Sequence, residues 1–273
     1  MKKIYISNDK YPKIIKHQSL IEEKFKTWIE YIESYIYVDK GYEINAISAI
    51  KFMIKHLDKY DDISNEDALN IIIAVKRNIN YLKYDFNKNI GTDIMGYPIM
   101  PTTYGQIDIY NALSNYNIVL VDGVSGTGKS YTSLCHILNK FDANNKLYIM
   151  NILQDTIDKT IIKIIGQDLY DYYLDKKAIT FIDINYLNGF TLNDAILLVD
   201  NAHTLSKKEI KLALTRLGTN SSIILLGDSS LATTSDFIDT IESLKGIKEI
   251  KRIKINKNDI VRNNIIKSIN KVL

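Results

Sequence analysis

Between residues 17 and 88 the apolar side chains recur at alternating spacings of four and three. Ile21, Phe25, Trp28, Ile32 and Tyr35 form one such set, Ile47, Ile50, Ile54 and Leu57 a second, and Ala68, Ile72, Val75, Ile79, Leu82 and Phe86 a third. This period lines each set along one face of a helix and predicts three amphipathic helices packed as a small bundle. Ser64 followed by Asp67 reads as a capping pair opening the third helix, and Gly41 separates the first from the second. In such a bundle Trp28 and the tyrosines are core and rim rather than a platform for stacking bases.

From Asn87 to Pro101 the pattern breaks at Gly91, Gly96, Pro98 and Pro101, which places a domain boundary near residue 90. Beyond it the period shortens. Apolar runs at Ile118 to Val121, Leu147 to Ile152, Ile179 to Ile184, Ile196 to Val199 and Ile223 to Leu226 alternate with helical stretches. Runs of that kind are strands buried on both faces, and their alternation with helices predicts a mainly parallel sheet with helices on either side. The expected organisation is a helical bundle over residues 1–90, followed by an α/β domain over 91–273 that binds ligands at the carboxyl ends of its strands.

One stretch carries chemistry of its own. In NIVLVDGVSGTGKSYT, residues 117–132, the strand Ile118 to Val121 runs into a loop in which Gly123, Gly128, Lys129 and Ser130 satisfy G-x-x-x-x-G-K-[ST]. Glycines at 123, 126 and 128 allow the left-handed turns and close approach that aim successive N–H groups of Ser125, Gly126, Thr127 and Gly128 at phosphate oxygens. The helix from Lys129 through Tyr131 adds its positive end. Lys129 suits the β- and γ-phosphates, and the Ser130 hydroxyl suits a Mg²⁺ ion bridging them. About 70 residues on, the buried run Ile196 to Val199 ends in Asp200, a second oxygen ligand for that metal. Ile223 to Leu226 ends in Gly227 and Asp228, where a carboxylate either orients the attacking water or caps the next loop.

These residues also resemble a known family. PTTYGQIDIY, GVSGTGKSYT, NGFTLNDAILLVDNAH, KLALTRLGTNSSIILLGD and KNDIVRN, over about residues 98–273, are similar to PhoH-like P-loop NTPases, relatives of the superfamily-one helicase ATPases. The resemblance implies an α/β P-loop fold binding ATP with Mg²⁺, and Gln106 at the adenine edge. It implies Arg216 and Arg262 near the γ-phosphate, where the alternative for each is a surface salt bridge. It further implies a homo-oligomeric ring, such as a hexamer, with single-stranded RNA or DNA as partner. Three positions depart from the pattern. Asn201 stands where the family has a glutamate acting as general base, Leu231 replaces a glutamine, and the arginine before TLND is absent. An amide orients water but takes no proton, so the expectation is nucleotide binding with slow hydrolysis. The alternative is an assembly module gated by nucleotide with little turnover. His203 and Glu209 are the nearest substitutes in sequence for the lost base.

Composition adds modest constraints. A formal net charge of +3 does not by itself argue for nucleic acid, but it is unevenly spread. Residues 91–244 carry 11 basic and 17 acidic side chains, whereas 245–273 carry 9 and 2. That basic end reads equally as a phosphate-backbone surface or as a strand with one solvated cationic face. The single cysteine, Cys135, reads as a small core residue and fits a reducing compartment. No apolar run approaches the roughly 20 residues of a spanning helix, and the basic N-terminus lacks an apolar signal core. The expected location is therefore the cytoplasm, away from membranes.

Overall fold

The computed structural model describes residues 2–39, 43–150, 154–255 and 257–261. The chain divides into two compact units, residues 1–85 and 86–273.

The first unit contains β1 (Lys2–Tyr5), α1 (Tyr11–Ile15), α2 (Gln18–Phe25), β2 (Ile29–Ile32), β3 (Tyr35–Val38), α3 (Glu43–Leu57) and α4 (Asn65–Lys76). The capping pair is present: the Ser64 hydroxyl accepts from the Asp67 amide while the Asp67 carboxylate accepts from the Ser64 amide. The expectation of an all-helical N-terminal bundle is corrected, because the unit holds an antiparallel sheet in the order β1-β3-β2. The stripe from Ile21 to Tyr35 is not one helix. Helix α2 stops at Phe25, where Lys26 turns left-handed at φ 48°, and the chain then reverses at Glu33 and Ser34, both also at positive φ. Two successive positive-φ residues make the twisted two-residue hairpin that joins β2 to β3. Ile29, Ile36 and Val38 are buried under the sheet, where α3 packs, while Trp28 is 64% exposed. The reading of Trp28 as core is likewise corrected.

The second unit opens with a short hairpin, β4 (Gly91–Thr92) and β5 (Pro98–Ile99), and then alternates α5 (Tyr104–Asn115), β6 (Ile118–Gly123), α6 (Lys129–Leu138), β7 (Lys146–Met150), α7 (Gln154–Ile165), α8 (Gln167–Asp175), β8 (Ile179–Phe181), β9 (Ala195–Val199), α9 (Lys207–Leu214), β10 (Ser222–Gly227), α10 (Asp236–Ser243) and β11 (Ile250–Ile255). As the alternation predicts, the larger sheet is parallel, in the order β11-β6-β10-β9-β7-β8. Strand pleating sends successive side chains to opposite faces. Val119, Val121, Ile224 and Leu226 pack with Ile109, Leu134 and Ile161 of α5, α6 and α7. Leu120, Ile223 and Leu225 pack with Ile210 of α9 and Phe237 of α10. Two fully buried faces are why these strands read as continuous apolar runs. Cys135 is completely buried among them, and burial pushes its thiol up to about 12. No helix among the described residues is long and apolar enough to cross a membrane.

Candidate nucleotide site at the carboxyl edge of the sheet

Strand β6 delivers the glycine loop to the carboxyl edge of the sheet, and two of its glycines are dictated by geometry. Gly128 lies at φ 83°, and a Cβ there would stand 2.6 Å from the Gln106 Nε2. A Cβ on Gly123 would stand 2.7 Å from Cβ of Ile255, its register partner in β11. The loop ends directly in α6, so its amides and the helix dipole converge on one space. A cleft of about 410 Å³ opens there, lined by Ser125, Gly126, Gly128, Lys129, Ser130 and Tyr131 of the loop and helix and by Asp200, Asn201 and Asp228 at the strand ends.

The charged groups in this cleft are tied together. The Ser130 Oγ donates to Asp200 Oδ1 at 3.0 Å, although 70 residues separate them in sequence. The Lys129 ammonium donates to the carbonyls of Gly123 and, at 3.0 Å, of Val124. Burial lowers the pKa of Lys129, and Asp228, Asp200 and Asp122 oppose that shift. Burial raises the pKa of Asp200, partly offset by the Ser130 hydrogen bond. Asp228 caps the loop that follows it, one carboxylate oxygen accepting from the Ser230 amide at 3.1 Å and from its hydroxyl, while the other accepts from the glycine-loop amide of Ser125 at 2.8 Å. Thr127 turns inward, donating to the Val124 carbonyl at 2.9 Å.

Other expected site residues fall elsewhere. Gln106 is buried beside the loop, with Oε1 accepting from the Thr102 amide at 2.7 Å, and it is not among the residues lining the cleft. Arg216 sits at the opposite, amino-terminal edge of the sheet. Its guanidinium donates to the Phe190 carbonyl at 3.3 Å and its own carbonyl accepts from Leu192 at 2.8 Å. The TLNDA and LTRLG segments clasp each other there, with Asn193 Oδ1 accepting from the Thr219 amide, and a Cβ on Gly218 would fall 2.2 Å from the Leu192 carbonyl oxygen. Arg262 lies outside the described residues, as do Lys267 and Lys271 of the basic end. Within that end, β11 is a strand whose Arg252 donates to the Ile241 carbonyl at 3.0 Å.

Of the two substitutes for the missing glutamate, His203 enters the cleft and Glu209 does not. Glu209 closes a capping box with Ser206 at the start of α9. The imidazole of His203 is buried, and its Nδ1 accepts from the Asp228 amide at 3.2 Å. A backbone N–H only donates, so Nδ1 is unprotonated and the ring's hydrogen is on Nε2. Burial lowers the pKa of His203, keeping the ring neutral. In that state His203 offers a donor to the cleft and no vacant acceptor for a proton. Thr156 and Thr160 of α7 also line the cleft and carry no motif, their only trace in the sequence being two hydroxyls one helical turn apart. Asn201 sits at φ 58°, ψ 34°, a left-handed position that asparagine tolerates better than glutamate does.

A glycine loop between a buried parallel strand and a helix, with lysine and serine opening that helix and an aspartate ending a strand two places away, defines a P-loop nucleoside triphosphatase fold. Within this class the profile of the PhoH family, described as "PhoH-like protein", matches residues 138–273. The chain is 25% identical over 266 residues to the PhoH-like protein of Bacillus subtilis (strain 168), covering 85% of this chain and 81% of that protein. It is 25% identical over 156 residues to the PhoH-like protein of Mycobacterium leprae (strain TN), covering 49% of this chain and 45% of the relative. The chain thus spans less than half the length of that mycobacterial relative. Among solved structures, the large terminase from a thermophilic bacteriophage superimposes with a TM-score of 0.43 at 10% identity, over 62% of this chain and 49% of that one.

Proposed function

We propose that the chain binds ATP with Mg²⁺, hydrolyses it slowly, and acts on nucleic acid as a homo-oligomer. The observation that carries this reading is the hydrogen bond between Ser130 and Asp200 at the mouth of the glycine loop. A hydroxyl and a buried carboxylate converging on one point offer the oxygen-only donor set that Mg²⁺ prefers, and the raised pKa of Asp200 marks a carboxylate that a cation would stabilise. Ser130 and Asp200 would hold Mg²⁺, which when bound offsets charge on the β- and γ-phosphates.

The chain's own residues supply the rest. Lys129 exchanges its loop carbonyls for phosphate oxygens, and the loop amides with the α6 dipole cradle the β-phosphate. Asn201 holds water without deprotonating it, and His203 donates from Nε2, so neither provides a strong base and turnover is slow. Arg216, whose guanidinium donates to the Phe190 carbonyl at the far edge of the sheet, could meet a γ-phosphate only in a neighbouring subunit.

The test is Mg·ATP binding by calorimetry and steady-state phosphate release with and without single-stranded RNA or DNA. Lys129→Ala should lower affinity from several-fold to orders of magnitude while the fold persists, because charge-assisted contacts to phosphate are lost at a loop–helix junction. Unchanged affinity in a folded Lys129→Ala protein would sink the assignment. Binding without turnover, with or without nucleic acid, would instead favour the assembly module.

A further inference from the structure

We propose that the outer face of the sheet in the first unit is a stacking platform for single-stranded nucleic acid. Residues paired across antiparallel strands point to the same side, so the pairs Lys3 with Tyr37, Tyr5 with Tyr35, Glu30 with Tyr37 and Ile32 with Tyr35 share one face. The Trp28 carbonyl accepts from the Asp39 amide at 3.0 Å, which extends the β2–β3 ladder by one pair and brings Trp28 to that face by alternation. The other face carries Ile29, Ile36 and Val38 and is buried. On the outer face Tyr5 is 61% and Trp28 64% exposed.

The ring geometry separates the two sides. Tyr31, on the covered side, is spent: it stacks on Tyr11 at 3.6 Å between centroids and 15° between planes. The outer rings are not stacked on one another. Tyr5 and Tyr35 lie 5.8 Å apart at 71°, and Tyr35 and Tyr37 lie 6.5 Å apart at 55°. The Lys3 ammonium stands 4.5 Å from the centre of the Tyr35 ring, where it also suits a phosphate following a stacked base. Four aromatic side chains with one cation among them, on an open antiparallel sheet, is the chemistry by which sheet-based modules stack unpaired bases. Tyrosine and tryptophan also anchor protein interfaces, and it is the lysine seated on the Tyr35 ring that favours a phosphate-bearing partner here. Glu30 and, by the same pairing that places Trp28, Asp39 share this face with Lys3, so binding rests on stacking rather than on charge. The face lies in residues 2–39, outside the residues the PhoH profile matches.

The proposal deepens the nucleic-acid part of the function given above, and its test is independent of the glycine loop. Trp28 is the chain's one tryptophan, so its fluorescence reports this face alone. The intact chain, without nucleotide, is titrated with short oligouridine and oligothymidine. Trp28 emission should be quenched to saturation. Tyr35→Ala and Tyr37→Ala should each weaken binding roughly 5- to 100-fold with unchanged far-ultraviolet circular dichroism, while Tyr35→Phe and Tyr37→Phe keep most of it. The log–log salt slope should be shallow, about −0.7 for one phosphate contact. Emission that oligonucleotide leaves unmoved, or alanine variants that bind as the parent does, would overturn the platform. So would a concentration-dependent shift of Trp28 emission with no response to oligonucleotide, which would make this a protein-docking face. Mg·ATP binding measured on the same protein separates the two ideas: its loss with quenching intact removes the nucleotide reading and leaves the platform.

Discussion

Replacing Asn201 tests the slow-hydrolysis reading most directly, because the structure separates what a carboxylate there would add from what it would cost. A general base contributes about 10²- to 10⁴-fold, or roughly 3 to 5 kcal/mol of barrier. The site already holds Lys129, Ser130 and Asp200, so Asn201→Glu should raise kcat with little change in Mg·ATP affinity. The rise should fall short of the full factor, since Leu231 lines the cleft where the family has a glutamine and such residues act as a unit. The backbone sets the cost. Asn201 is left-handed at φ 58°, where glutamate is disfavoured by about 1 to 2 kcal/mol, so Asn201→Glu should also lower the melting temperature by a few degrees. Asn201→Asp serves as the partner variant, because aspartate tolerates that conformation and nearly preserves the side-chain volume. It should gain turnover without the thermal loss. The assay is phosphate release at saturating Mg·ATP beside thermal unfolding of the same three proteins. Wild-type turnover already in the ordinary range of about 1 to 10³ s⁻¹, with both variants neutral at unchanged affinity, would refute the reasoning and show that another group takes the proton.

Two further outcomes follow from packing and from buried charge. A Cβ on Gly227 would stand 2.2 Å from Cζ of the buried Phe237, so Gly227→Ala should cost about 1 to 3 kcal/mol in denaturant unfolding. Adding Phe237→Leu should recover part of that loss, and strict additivity of the two changes would contradict the clash. Burial pushes His136 down to about 4. Between that value and the ordinary 6.5 the unfolded chain binds the extra proton, so stability is full above pH 6.5 and lost as pH falls toward 4, by at most about 1.4 kcal/mol per unit from this residue. His136→Gln should flatten the curve in that window, and His203 and His56, lowered in the same direction, should leave part of the slope. An unchanged slope would mean that His136 does not fold as the neutral ring.

The sequence by itself determined the features whose requirements are local. A glycine loop that must turn left-handed at Gly126 and Gly128 and pass Ile255 without a Cβ can be built from few residue types, so the motif is visible in eight residues. Strands covered on both faces must be apolar throughout, and the runs ending in Asp200 and Asp228 announce both the parallel sheet and the two carboxylates at its edge. The hairpin in the first unit was hidden because Ile21, Phe25, Trp28, Ile32 and Tyr35 satisfy a helical period. What reverses the chain is Glu33 and Ser34 at positive φ, with neither glycine nor asparagine to signal the turn. The fate of Trp28 and the tyrosines, core on one reading and open face on the other, therefore depended on the sheet. Only the tertiary structure decided which residues near Asp200 reach the cleft: His203 follows three positions later and meets Asp228, whereas Glu209, six further on, is drawn into a cap on α9. It likewise sent Arg216 to the far edge of the sheet and brought Thr156 and Thr160 of α7 to the near one. Conformational demands such as a left-handed turn are written in neighbouring residues, but a site assembled from segments 70 to 100 positions apart exists only where the packing of helices on the sheet brings them within hydrogen-bonding distance.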